Sequence, residues 1–246
     1  MSKNLLLISN STMAGEAYLG WPREHIKKFL ENFPVKKVLF VPYAGVGLSP
    51  ESLEASFDAY EKKVAAVYAE LGYEIESIHR KNDPVAAVNE AEAVAVGGGN
   101  TFHLVHMMHK TKIMEAIRQR CLDGMPYMGW SAGSNVACPA LKTTNDMPIV
   151  EPSSFRCLNL ISFQINPHYL DANPEGHGGE TRQQRIEEYL VVNRHMTVVG
   201  LREGGLLIVN GDKLTLKGKH SMRLFRFGET PRELETTDDL SFLMKQ

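Results

Sequence analysis

Cysteine is nearly missing from this sequence: Cys121, Cys138 and Cys157 are the only three in 246 residues, and none forms a C-x-x-C pair. An odd count without a paired pattern argues against a disulfide framework and for reduced thiols, most of them core residues. Long apolar runs are missing too, and nothing approaches the roughly 18–20 residues needed to cross a bilayer. The opening Met1-Ser2-Lys3-Asn4 leads only into Leu5-Leu6-Leu7-Ile8, too short for a signal sequence and without a small-residue cleavage site behind it. The expectation is a soluble cytoplasmic protein with no membrane partner. A basic excess is also absent: 27 Lys and Arg stand against 29 Asp and Glu, a net charge of −2. Without a basic stripe there is no footprint for nucleic acid, which leaves a small molecule as the expected partner. No repeat, low-complexity tract or linker divides the chain, so residues 1–246 are expected to form a single α/β domain.

What is present is an alternation of strand-like and helix-like runs. Residues 5–8, 38–41, 74–78, 93–96 and 127–130 read as strands, several apolar throughout, the pattern of a sheet covered on both faces. Between them, Leu53, Phe57, Tyr60, Val64, Val67 and Leu71 trace one face of a helix, with Ser49 as its cap, Pro50 in its first turn and Gly72 at its end. Ile113, Ala116, Ile117 and Cys121 form a second stripe stopped by Gly124, and Ile186, Tyr189 and Leu190 mark a later helix. This order predicts a three-layer sandwich with a mostly parallel central sheet. From residue 197 the chain turns richer in strands, at 197–201, 206–209, 213–216 and 222–227. Ligands in such folds gather where strands end and helices begin.

Two of those turns carry unusual sequences. Gly129-Trp130-Ser131-Ala132-Gly133 fits G-x-S-x-G between a strand and a helix-compatible run. A serine on such a turn is pushed into a backbone geometry that exposes its hydroxyl, and the N–H of Ala132 then points toward the oxygen that becomes negative during attack. The bland alternative is a small-residue turn. Gly97-Gly98-Gly99-Asn100-Thr101 follows the preceding strand, and its spacing fits neither the dinucleotide fingerprint nor the P-loop. It reads either as a plain turn or as backbone that approaches a bound carbonyl and supplies a second oxyanion donor.

A serine nucleophile needs a base, and nine histidines compete. His103, His106 and His109 recur every three residues on a helix and read as a half-exposed face. His168 ends the strand-like run Gln164-Ile165-Asn166-Pro167, where a base belongs. A metal site from His168, Glu175, His177 and Glu180 matches no zinc or calcium spacing, so no metal is expected. The histidine needs an acid to fix its tautomer. Glu203, before Gly204-Gly205, and Asp146, in Thr143-Thr144-Asn145-Asp146-Met147-Pro148, both qualify, and the residues alone do not choose between them.

The two glycine-bearing turns, the Asp146 segment, Ile165-Asn166-Pro167-His168 and Pro174-Glu175-Gly176-His177 stand in the order seen in the S51 family of serine peptidases, the aspartyl dipeptidases. Leu7-Ile8-Ser9-Asn10-Ser11-Thr12 and Val41-Pro42-Tyr43-Ala44-Gly45-Val46 extend the likeness, so the chain resembles that family from about residue 5 to residue 205. The resemblance implies a sandwich like that of class I glutamine amidotransferases and a triad of Ser131, His168 and Glu203, with Asp146 the alternative acid. The family's Leu-Pro-Glu-Gly reads Leu201-Arg202-Glu203-Gly204 here. It further implies hydrolysis of dipeptides with an N-terminal aspartate through an acyl-enzyme on Ser131, an oxyanion hole from Gly99 and Ala132, substrate contacts from Arg182 and Asn100, and no cofactor. A guanidinium at Arg182 would grip the substrate carboxylate with two parallel hydrogen bonds. The competing expectations are a related hydrolase of another aspartyl peptide or polymer, and a non-catalytic small-molecule binder on the same scaffold.

Overall fold

Leu5 and Leu7 of the first strand face one hydrophobic core, and Leu6 and Ile8 face another. Successive side chains of a strand point to opposite sides, so an all-apolar strand of this kind must be covered on both. The computed structural model describes residues 3–173, 175–176 and 178–245. Its elements run β1 (Asn4–Ile8), α1 (Arg23–Leu30), β2 (Lys37–Val41), α2 (Leu53–Glu70), β3 (Glu74–Ser77), α3 (Pro84–Glu90), β4 (Val94–Val96), α4 (Thr101–Lys110), α5 (Ile113–Leu122), β5 (Tyr127–Trp130) and α6 (Ala132–Asn135). After these come β6 (Gln164–Tyr169), α7 (Arg182–Val192), β7 (Thr197–Arg202), β8 (Gly205–Asn210), β9 (Lys213–Gly218), β10 (Met222–Arg226) and β11 (Arg232–Leu234).

Seven strands form one sheet in the order β3-β2-β4-β5-β1-β8-β9. The pairings from β3 through to β1 are parallel, and those of β8 with β1 and β9 are antiparallel. On one face, Leu5, Leu7, Leu39 and Val96 pack with Leu104 and Val105 of α4 and with Ile113 and Ile117 of α5. On the other, Leu6, Ile8, Val38 and Phe40 pack with Ile26 and Leu30 of α1 and with Val64 and Tyr68 of α2. Each such fully buried side chain contributes about 1.5–3 kcal/mol relative to exposure. The three layers and the mostly parallel central sheet are those expected from the sequence. The three cysteines are free and buried, and burial pushes the Cys138 thiol up to about 12. Among the described residues no helix is long and apolar enough to cross a membrane.

One detail departs from the expectation. The α2 cap is Ser52, whose Oγ accepts from the Ala55 N–H at 3.0 Å; Ser49 instead closes the preceding turn by accepting from the Glu51 N–H at 3.2 Å, so Pro50 lies outside the helix. The pairing of the later strands was left open by the sequence, and β6 and β7 do not join the main sheet. They form a second, four-stranded sheet in the order β11-β10-β7-β6. β6 is its edge strand, and an edge with a bulge beside it is a place where the missing N–H of Pro167 is tolerated. The β7–β8 turn connects the two sheets, so the ends of β1, β5, β6 and β7 are brought together.

Candidate active site

Ser131 follows the last residue of β5 with φ 53° and ψ −111°. A non-glycine residue held there costs about 1–3 kcal/mol, so its surroundings must fix it. Its N–H donates to the Ile8 carbonyl at 3.0 Å, and its own carbonyl accepts from the N–H groups of Ser134 at 2.9 Å and Asn135 at 3.0 Å. Ser134 Oγ adds bonds to the carbonyls of Ile8 at 2.7 Å and Gly129 at 2.8 Å. The glycines of the motif are sterically required. A Cβ on Gly129 would run into the Gly133 carbonyl, and one on Gly133 into the Val96 carbonyl. A Cβ on Gly98, from the glycine loop, would stand 2.9 Å from the Ser131 Cβ.

His168 also has a positive φ, 52°, at a bulge where the β6–β7 register shifts between Pro167 and Tyr169. Asn145 Nδ2 holds the Pro167 carbonyl at 2.7 Å, and the His168 N–H donates to Ser9 Oγ at 3.0 Å. The bulge turns the imidazole toward β5. Nε2 lies 2.9 Å from Ser131 Oγ, and Nδ1 lies 2.6 Å from Glu203 Oε1. An ionised carboxylate can only accept, so the Nδ1 proton faces Glu203 and the Nε2 lone pair faces the serine hydroxyl. Glu203 occupies the turn between β7 and β8. Gly204, at φ 74°, completes that turn, and its N–H donates to Asn10 Oδ1 at 2.9 Å. The side chains of His168 and Glu203 are 38% and 43% exposed, so water and substrate can reach the pair.

Asp146, the alternative acid, is engaged elsewhere. Its Oδ2 accepts from the Thr101 N–H at 2.7 Å, Thr101 Oγ1 at 2.6 Å and Thr144 Oγ1 at 3.0 Å. It shares with Arg182, Asn145, Ser131 and His168 the lining of a cleft of about 210 Å³, below the ~300–1,000 Å³ typical of drug-sized ligands. Arg182 opens α7 and makes no hydrogen bond or ion pair among the described residues. Burial and the nearby Arg185 hold its guanidinium below its ordinary value, against the opposing pull of Asp146. The Oδ1 of Asn100 caps α4 by accepting from the His103 N–H at 3.0 Å, and its Nδ2 donates to the Met147 carbonyl at 2.9 Å, which leaves one lone pair and one N–H of the amide for a further partner.

Gly99 adopts φ 132°, and a Cβ there would collide with the Ala44 carbonyl. Ala132 is the first residue of α6 and lines the Ser131 cleft. Pro174 and His177 lie outside the described residues. His103, His106 and His109 each face a backbone carbonyl, those of Tyr43, Glu151 and Arg156. Among the described residues one group, Asp58, Glu61 and His79, has ligand atoms close enough to share a metal ion. Its carboxylates are already paired with Arg80, at 2.7 and 2.5 Å, and none of the three lines the Ser131 cleft.

Sequence reasoning passed over Ser9 and Asn10 as positioning groups. Ser9 Oγ donates to the Leu201 carbonyl at 2.7 Å while accepting from His168, so one buried hydroxyl ties β7 to the bulge of β6. The signal available was a pair of small polar residues directly after an all-apolar strand.

The model of peptidase family S51 matches residues 5–217. A peptidase E of Nostoc sp. is 49% identical over 246 residues, covering 100% of this chain and 98% of the relative. A peptidase E of Streptomyces coelicolor is 46% identical over 242 residues, covering 98% and 95%. The crystal structure of a peptidase from an acI-B1 actinobacterium shares the fold at a TM-score of 0.71 and 17% identity, over 98% of each chain.

Proposed function

The chain belongs to peptidase family S51 and is a serine-type dipeptidase of that family; on that premise we propose that Ser131 is the nucleophile, His168 its base and Glu203 the carboxylate that orients the base, acting on dipeptides that begin with aspartate. The observation that carries this reading is the unbroken line from Ser131 Oγ through His168 to Glu203, at 2.9 and 2.6 Å. Ser131 Oγ attacks the peptide carbonyl carbon as its proton passes to His168 Nε2, and Glu203 stabilises the imidazolium. The N–H groups of Gly99 and Ala132 receive the oxyanion. His168 then gives the proton to the leaving nitrogen, the C–N bond breaks, and the aspartyl group remains as an ester on Ser131. A water molecule, deprotonated by His168, attacks that ester, and Ser131 recovers its proton as the bond to Oγ breaks.

An N-terminal aspartate presents a β-carboxylate and an α-ammonium. The cleft beside Ser131 offers one counter-charge for each: the guanidinium of Arg182 and the carboxylate of Asp146, whose Oδ2 is occupied by scaffold donors while Oδ1 accepts none among the described residues. A desolvated guanidinium without a partner gains most from a bidentate anion. Hydrolysis of Asp-Leu, Asn-Leu, Glu-Leu and Ala-Leu by the wild type and by Arg182→Ala tests the assignment. The reading expects Asp-Leu to be preferred and the preference to collapse in the variant; equal turnover of all four by the wild type would remove it.

A further inference from the structure

The glycine loop has a second cleft on its far side. It measures about 300 Å³ and is walled by Tyr18, Tyr60, Val46, Leu48 and the backbone of Gly98 and Gly99. We propose that this cleft is the leaving-group subsite, taking the C-terminal residue of the dipeptide with an apolar side chain against Leu48 and Tyr18 and its α-carboxylate at Lys63. The inference rests on the reading of Ser131 as nucleophile and deepens it.

Three observations converge on this occupant. First, the two clefts flank the glycine loop, one on each side of it beside the reacting group. Gly98 belongs to the wall of the second cleft, yet a Cβ on it would stand 2.9 Å from the Ser131 Cβ, so only the thickness of a glycine separates cleft and nucleophile. A substrate whose carbonyl sits at Ser131 extends in two directions, and the cleft with Arg182 and Asp146 accounts for one. Second, the chemistry of the two clefts is different. The first carries charges of both signs, matching an N-terminal aspartate; the second is lined by apolar and aromatic side chains and glycine backbone, with the Asn100 amide and a single charge, that of Lys63. Leu48 is 47% exposed there, an apolar surface left open in the wall. Third, that cation is held without an anion. Lys63 Nζ stands 4.2 Å above the Tyr18 ring and forms no ion pair among the described residues. A cation over an aromatic face keeps its remaining N–H donors for another partner.

The floor of the cleft is fixed. Tyr60 Oη donates to the Gly98 carbonyl at 3.0 Å and accepts from Trp130 Nε1 at 3.0 Å and from Tyr18 Oη at 3.3 Å. Lys63 lies three residues further along α2, on the same side of the helix as Tyr60. A C-terminal carboxylate at the rim and an apolar side chain against the wall therefore complement what the cleft presents.

The test compares kcat/KM for Asp-Leu and for its C-terminal amide in the wild type, Lys63→Ala and Lys63→Arg. Exposed charge pairs are weak, so the wild type should favour the free carboxylate by about three- to fivefold. The ratio should fall to about one in Lys63→Ala and return in Lys63→Arg. In parallel, Leu48→Asn should lower turnover of Asp-Leu relative to Asp-Gly. Turnover of both Leu substrates with a ratio that Lys63→Ala does not move would overturn the subsite and leave the dipeptidase reading standing. Absence of wild-type turnover on Asp-Leu would remove that reading and the subsite with it.

Discussion

The backbone N–H of His168 donates to the hydroxyl of Ser9 at 3.0 Å, and that hydroxyl donates in turn to the Leu201 carbonyl at 2.7 Å. The imidazole therefore owes its place to a residue at the end of β1, in the other sheet. Ser9→Ala leaves a buried N–H and a buried carbonyl without partners, a cost of about 1–3 kcal/mol. The expected result is that order of destabilisation in urea unfolding, with kcat reduced roughly tenfold or more and KM little changed. An unchanged kcat would show that the bulge holds its shape without this contact.

Glu203 and Asp146 should separate cleanly. Glu203→Gln removes the acceptor that fixes the histidine tautomer, and comparable changes elsewhere lower kcat on the order of 10⁴-fold. Asp146→Asn keeps an oxygen for the Thr101 N–H but loses the charge facing the cleft, so its effect should fall mainly on KM. Steady-state kinetics on Asp-Leu distinguishes the two; a larger kcat loss in the Asp146 variant would reverse the assignment.

Gly98→Ala tests the contact between the glycine loop and the nucleophile. Its Cβ would sit 2.9 Å from the Ser131 Cβ and 3.2 Å from the Trp130 ring, tighter than packed atoms tolerate. One of the two must shift. Activity should fall by more than tenfold while overpacking lowers stability by about 1–3 kcal/mol. A variant with wild-type kcat would show that Ser131 does not depend on this contact.

Arg202, directly before Glu203, makes connections of its own. It donates to Asp171 at 2.6 and 2.8 Å and to Glu233 at 2.8 and 3.1 Å, joining the segment after His168 to β11 beside the Glu203 turn. These hydrogen bonds hold both carboxyls below their ordinary range. A depressed carboxylate contributes stability above its unfolded value and loses it as the pH falls through the folded one. The stability difference between the wild type and Arg202→Ala should thus be full at neutral pH and shrink from about pH 4 downward. Thermal melts at pH 7, 5, 4 and 3 follow it; a difference that grows on acidification would contradict the clamp.

The strands of the main sheet were legible because burial on both faces writes itself into local composition. Tyr127–Trp130 emerges with the expected limits, and Lys37–Val41 begins one residue before the apolar run. Helix α2 was legible from its spacing, but its cap was not, since Ser49 and Ser52 are equally good residues and only the path of the chain selects Ser52. The second sheet was hidden for a different reason. β6 and β7 look like further strands of one sheet, and which neighbour a strand pairs with is not a property of its own sequence.

The site followed the same division. Ser131 was visible as a motif because its glycines answer to local collisions. His168 was visible as a strand end, although its positive φ and its bulge were not. The choice of Glu203 over Asp146 could be made from resemblance only, because it depends on how the β7–β8 turn crosses between sheets. The capping role of Asn100 was not visible, because a polar residue after a glycine loop can serve the helix behind it as well as a ligand in front.

The central claim is that His168 and Glu203 activate Ser131. The most direct measurement is peptide mapping by mass spectrometry after reaction with a serine-directed phosphonate, with the labelling rate followed in the wild type and in His168→Ala. The account predicts one adduct, on the peptide containing Ser131, formed far more slowly in the variant. An adduct on another residue, or equal labelling rates in the two proteins, would contradict it.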